Sequence, residues 1–205
     1  MITIVNYGLG NLGSIRNMLK RLGIEAIVAD DAKTIAAADK IILPGVGAFD
    51  VAMENLHRTG FIEPLNELVI DRKVPILGIC LGMQIMSKSS EEGRKHGLGW
   101  LDAVTVRFRF DKDERNLKIP HMGWNDIEVC REDGLFKGFD MSARFYFVHS
   151  FHMRCHQKKD VLATARYGID FAAAVRRNNV WGTQFHPEKS HKYGMRLMKN
   201  FAEIV

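Results

Sequence analysis

Apolar and polar positions follow two different periods in the first half of the chain. Residues 2–7 form a short apolar run that ends in the glycine-rich turn Gly8-Leu9-Gly10-Asn11. Leu12, Ile15, Met18, Leu19 and Leu22 then recur at the spacing of one helix face, and Gly23 stops that helix. Apolar runs at 25–28, 40–43 and 75–79 predict three further strands. Helical stretches are predicted over 50–58 and 62–70, and another from 83 to 86. Pro44-Gly45-Val46-Gly47 reads as a loop that breaks the third strand. Such alternation predicts a mostly parallel sheet with helices on both faces. Functional loops in sheets of that kind gather at the carboxyl ends of the strands.

From about Val104 the texture changes to short β segments at 104–110, 145–148, 161–166, 172–176 and 180–184. These predict a more antiparallel extension of the sheet. A last helix is expected after Ser190, its N-cap, with Met195, Met198, Phe201 and Val205 along one side. The expected fold class is therefore α/β, a three-layer sandwich with a mostly parallel central sheet and an antiparallel extension. No repeat, low-complexity tract or linker divides the chain, so one domain over residues 1–205 is expected.

Composition narrows the function classes. A length of 205 residues suffices for one well-buried core, and 46% hydrophobic with 26% charged residues is ordinary for a soluble globular protein. No apolar run approaches the ~20 residues of a membrane span, and the N-terminus enters a strand without a basic leader, so no secretory signal is expected. Three cysteines without tight spacing argue against a disulfide framework or a zinc site and predict the reducing cytoplasm. The net charge of +5 is spread among acids, as over 107–115, which predicts a mildly basic solvated surface rather than a nucleic-acid stripe. No cofactor motif is read.

The candidate chemistry starts at Gly78-Ile79-Cys80-Leu81-Gly82, which follows a predicted strand and precedes a predicted helix. That is the context of a nucleophile elbow, where a sharp turn projects the side chain and the helix N-terminus favours a thiolate. Cys130 and Cys155 read as small buried hydrophobes. A cysteine attacking an amide needs a histidine to move protons. Of eight histidines, His186 stands out because Glu188 lies two positions on. In extended chain the two side chains share a side, so the carboxylate can orient the ring. Pro187 suits the end of a strand. Charge developing on the amide oxygen calls for fixed donors: the Leu81 N–H on the elbow, and an N–H from the 44–47 loop. His121, His149 and His152 lack a pattern of acidic ligands, so structural or interface roles are expected and no metal.

Pro-Gly-Val-Gly at 44–47, Gly-Ile-Cys-Leu-Gly-Met-Gln at 78–84 and His-Pro-Glu at 186–188 together resemble the class I (triad) glutamine amidotransferases, over essentially the whole chain. Asn6-Tyr7-Gly8-Leu9-Gly10-Asn11, residues 119–125 and residues 146–150 further resemble the glutaminase subunits of imidazole glycerol phosphate synthases. The resemblance implies Cys80 as nucleophile, His186 as base and Glu188 as its orienter. It implies oxyanion donors at Leu81 and Val46, and glutamine binding by Gly45, Gly47, Gln84 and Ser150. Asn11, Trp124 and Lys189 would lie near a partner, a separate (β/α)8-barrel cyclase subunit that receives ammonia. It also implies a switching role for the 44–47 loop, and a peptide flip at Gly45 that needs φ > 0 is one expectation. Phe151 departs from the tyrosine of many relatives. Paralogous pairs feed ammonia to other acceptors, such as surface-sugar systems, and the glutaminase sequence alone does not choose between them.

Overall fold

The computed structural model describes residues 1–110, 117–140 and 143–203. The charged positions 111–115 and Val205, used above, lie outside the described residues. In chain order the strands are β1 (Ile2–Val5), β2 (Ala26–Ala29), β3 (Ile41–Gly45), β4 (Ile76–Cys80), β5 (Ala103–Arg107) and β6 (His121–Asp126). They continue as β7 (Glu128–Val129), β8 (Arg144–His149), β9 (Phe151–Cys155), β10 (Val161–Tyr167), β11 (Ile169–Arg177) and β12 (Val180–Thr183). The α-helices are α1 (Leu12–Arg21), α2 (Ala32–Ala36), α3 (Phe49–Thr59), α4 (Ile62–Asn66), α5 (Leu81–Gln84) and α6 (His191–Glu203). A π-helical turn, Glu67–Asp71, prolongs α4, so the predicted helix over 62–70 is present with its last turn widened.

The main sheet has the order β2-β1-β3-β4-β12-β11-β10-β7. Its first five strands are parallel, and β11, β10 and β7 join antiparallel beyond β12. Successive side chains of a strand leave by opposite faces. Accordingly Ile41, Leu43 and Ile76 pack with Leu56 of α3 and Leu65 of α4. Ile42, Leu77 and Ile79 pack on the other face with Ile15 and Leu19 of α1 and with Leu197 and Phe201 of α6. Two apolar cores separated by one sheet make the expected three layers.

Two expectations need correction. Residues 44 and 45 are not loop: β3 runs through both, with Pro44 opposite Ile79 and Gly45 opposite Cys80. Proline is tolerated in this central strand because the neighbour on its other side, β1, pairs only as far as Ile42. The Tyr7 hydroxyl donates to the Pro44 carbonyl instead, at 2.7 Å. The later β segments do not all extend the sheet either. The segments at 104–110 and 145–148 belong to two separate antiparallel ladders, β5 with β9 and β6 with β8. The segment at 180–184 lies within the main sheet, parallel to β4. Hydrophobic alternation identifies a strand but not its partner. Two strands, β6 and β7, carry too few apolar residues to stand out, whereas β9 alternates Phe151, Met153 and Cys155 with polar residues and is a strand beyond the segments expected. Among the described residues no helix is long and apolar enough to cross a membrane.

Candidate active site

The carboxyl ends of β3, β4 and β12 meet the β8–β9 turn at one cleft of about 310 Å³, lined by residues that include Val46, Gly47, Cys80, Leu81, Gln84, Ser150 and His186. Cys80 ends β4 with φ 54 and ψ −109, a left-handed backbone that a residue with a Cβ rarely adopts, and α5 begins at the next residue. The flanking glycines make this turn sterically feasible. A Cβ on Gly78 would come within 2.7 Å of the Met83 nitrogen, and one on Gly82 would overlap the Leu43 carbonyl oxygen. The Cys80 thiol is 3.9 Å from the Val148 carbonyl, and Gln184 Nε2 lies 3.7 Å from its sulfur.

His186 and Glu188 meet as expected, by a different local route. β12 ends at Thr183, and Pro187–Lys189 form a single 3-10 turn rather than a continuing strand. That turn brings the Glu188 Oε1 within 2.8 Å of the His186 Nδ1, with both side chains almost entirely buried. Nδ1–H therefore donates, and the buried Nε2 has no hydrogen bond of regular geometry. Burial by itself disfavours the imidazolium, but interactions with Cys80 and Glu188 outweigh it and push the His186 pKa up to about 10. The arrangement favours a cation beside the sulfur at neutral pH. Burial, reinforced by nearby Cys80, keeps the Tyr7 phenol protonated far above its ordinary range.

Ser190, the residue before α6, ties this turn to the ladder behind it: its hydroxyl donates to the His186 carbonyl at 2.6 Å and accepts from the Tyr146 N–H at 3.0 Å. Gly45 faces Cys80 across the sheet but is not the residue of positive φ. Its requirement for glycine is steric, since a Cβ would lie 2.6 Å from the Tyr7 hydroxyl and 2.9 Å from the Gly82 nitrogen. The φ of 109 belongs to Gly47, where the chain is open, and Val46 between them is 42% exposed. This corrects the expectation of a left-handed Gly45.

Gln84 projects from α5 into the same cleft. Its Nε2 donates to the Phe151 carbonyl and to Gln184 Oε1, each at 3.0 Å, leaving Oε1 without a hydrogen bond from the described residues. The Phe151 carbonyl also accepts from His149 Nδ1 at 2.8 Å. His149 Nε2 must then accept from His121 Nδ1 at 3.0 Å, and His121 Nε2 accepts from Asn125 Nδ2 at 3.3 Å. Both rings are thus neutral with assigned tautomers. Burial lowers the pKa of His121 to about 4 and of His149 to about 3. His152 sits among Phe108 and Phe171, its pKa likewise lowered by burial to about 4. The role of position 151 lies in its carbonyl, and its ring only stacks under Arg107.

Several residues at the site were not singled out from sequence: Tyr7, Glu92, Pro120 and above all Gln184. Gln184 stands two positions before His186, and Tyr7 and Pro120 lie within the segments 6–11 and 119–125, so their sequence positions could have drawn attention. The other two cysteines depart from expectation in part. Cys155 is half-buried, with its thiol pushed up to about 12 by burial, whereas Cys130, directly after the short edge strand β7, is exposed.

Trp124 and Lys189 come together on the surface beside the site. Trp124 stacks on His191, with ring centroids 5.4 Å apart and planes at 7°, and meets Tyr146 edge-on. Lys189 Nζ lies 5.6 Å over the Tyr146 ring. Asn11 is the N-cap of α1, and Ser14, in the first turn of that helix, lines a surface cavity with Lys189 and His191. Among the described residues no group of three or more histidine, cysteine or acidic side chains could hold a metal ion.

The family described as glutamine amidotransferase class-I matches this chain over residues 3–205. The chain belongs to that family. As a class I glutamine amidotransferase it has extended relatives at high identity. It is 49% identical over 201 residues to "Imidazole glycerol phosphate synthase subunit HisH 2" of Methanococcus maripaludis, covering 98% of each chain. It is 52% identical over 204 residues to "Imidazole glycerol phosphate synthase subunit HisH" of Bdellovibrio bacteriovorus, covering 100% of each. A solved structure of a glutamine amidotransferase shares the fold with a TM-score of 0.76 at 23% identity, covering 98% of this chain and 97% of that one.

Proposed function

We propose that this amidotransferase is the glutaminase subunit of an imidazole glycerol phosphate synthase, releasing ammonia from glutamine for a separate cyclase subunit in histidine biosynthesis. The observation that carries the chemistry is the convergence of Cys80, His186 and the buried Glu188 at one cleft. The acceptor pathway rests on the relatives' names and full-length similarity.

In this reading the Cys80 thiolate attacks the side-chain carbon of glutamine, and the oxygen takes the negative charge. The N–H groups of Leu81 and Val46 meet that oxyanion. His186, held by Glu188, gives its proton to the leaving nitrogen, and the collapsing intermediate leaves ammonia and a glutamyl thioester on Cys80. Neutral His186 then takes a proton from water as it attacks the thioester, and glutamate leaves with the thiolate restored. Gln84 Oε1 is the free acceptor for the substrate's α-ammonium group, with Gly45, Gly47 and Ser150 framing the rest of the amino acid. Trp124 and Lys189, with Asn11 at the end of α1, face the cyclase, a (β/α)8 barrel whose lumen takes the ammonia.

The test is glutamine hydrolysis by the purified chain, alone and with its cognate cyclase subunit and that subunit's phosphorylated ribosyl ligand. Strong stimulation, abolished by Cys80→Ala, is expected. Vigorous turnover by the isolated chain would identify a free-standing hydrolase, and silence with this partner would redirect the search to another acceptor.

A further inference from the structure

One buried polar side chain touches the nucleophile and has no part in the triad. Gln184 directly follows β12, is fully buried, and is pinned by a 2.9 Å hydrogen bond from its backbone N–H to the Ala173 carbonyl. Its orientation follows from its neighbours. The Phe151 carbonyl can only accept, so the Gln84 atom 3.0 Å from it is the Nε2 donor. That nitrogen also lies 3.0 Å from the Gln184 amide, which must present its oxygen there. Gln184 therefore points Nε2–H at Cys80 Sγ, 3.7 Å away.

We propose that Gln184 is a fourth catalytic group, a fixed and uncharged donor to the Cys80 thiolate, locked in its donating orientation by Gln84. The assignment rests on Cys80 being the nucleophile. The sulfur carries negative charge twice in each turnover, before it attacks the amide and when it is expelled from the thioester. His186 is a variable donor over that cycle, because it surrenders its proton to the leaving nitrogen. Gln184 has no proton to surrender, so its contribution persists at both stages. A residue needed only to satisfy Gln84 would require an acceptor oxygen alone, and would not need a donor on the sulfur side.

The experiment is the pH dependence of iodoacetamide alkylation on the full chain, read at Cys80 by peptide mass spectrometry so that exposed Cys130 does not interfere. Losing a hydrogen bond to the charged form raises a thiol pKa, so Gln184→Met should move the midpoint up by about one unit. Gln184→Glu keeps the acceptor for Gln84 but sets a carboxylate against the sulfur, and should move it further. Phe185→Leu, which loosens the neighbouring stack on Phe145 (3.9 Å), controls for altered packing and should leave the midpoint unchanged. An unshifted midpoint in a folded Gln184→Met chain would overturn the proposal. If neither Gln184 variant folds, the wild-type chain decides: the Gln184 side-chain amide resonances must move as Cys80 ionises, and fixed resonances sink the idea. Labelling by a reactive glutamine analogue separates the two claims. Absence of label on wild-type Cys80 defeats the nucleophile assignment, whereas labelling with an unshifted midpoint defeats only the role of Gln184.

Discussion

Cys80 occupies backbone space that most side chains avoid, and the flanking Gly78 and Gly82 leave the room that turn needs. The same crowding explains Gly45, where a methyl group would press on the Tyr7 hydroxyl and the Gly82 nitrogen. Gly45→Ala should therefore destabilise the chain by about 1–3 kcal/mol through overpacking. Chemical denaturation would read this, and an unchanged midpoint would show that the β3–α5 contact yields easily. Glu188 acts through a single 2.8 Å bond that sets the His186 tautomer. Glu188→Gln preserves shape but loses the carboxylate that helps hold the imidazolium. Partner-stimulated kcat is expected to fall by about 10³–10⁴. Because the pKa of His186 is raised partly by Glu188, the high-pH limb of the rate profile should also move to lower pH.

At the scale of elements, buried histidines accumulate on the β6–β8 ladder, with His121 and His149, and on the adjoining β9, with His152. An unfolded imidazole takes its proton near pH 6.5. Burial holds His121 and His152 neutral down to about 4 and His149 down to about 3. Between these values the unfolded chain binds more protons than the native one, so the stability these three neutral rings contribute is complete above pH 6.5 and is lost as pH falls through 4 and then 3. Thermal melts over this range should show Tm dropping on acidification. His152 Nδ1 is buried with no hydrogen bond, among Phe108 and Phe171. His152→Phe should flatten part of the acid limb without losing the fold. An unchanged slope would show that His152 has no share in the acid limb.

The whole molecule presents its candidate catalytic cleft near an aromatic, basic surface at Trp124, Tyr146, Lys189 and His191. Met122, 62% exposed on the same strand as Trp124, enlarges the apolar part of that surface. Trp124→Ala should weaken association with the cyclase by about 2 kcal/mol, roughly 30-fold in Kd, while leaving the melting temperature of the isolated chain almost unaltered. Titration calorimetry with the partner would measure the first and calorimetric melting the second. A large loss of stability with intact binding would make Trp124 a structural residue.

The amino-acid order by itself determined the elements whose signals are local. The apolar stripe of α1, the short apolar strands β1 to β4 and the glycines about Cys80 each follow from periodicity or steric need within a few residues. His186 and Glu188 were legible for the same reason, being two positions apart, although a 3-10 turn and not an extended strand joins them. What only the tertiary structure decided depends on pairing across long stretches of chain. That Pro44 and Gly45 stay within β3 depends on where β1 ends, and the departure of β5, β6, β8 and β9 from the main sheet depends on their partners. Gln184 needed Gln84 and Phe151 beside it before its amide had a direction. Alternation states which face of a strand is apolar, and only burial against a particular neighbour selects the pairing that satisfies every backbone and side-chain donor.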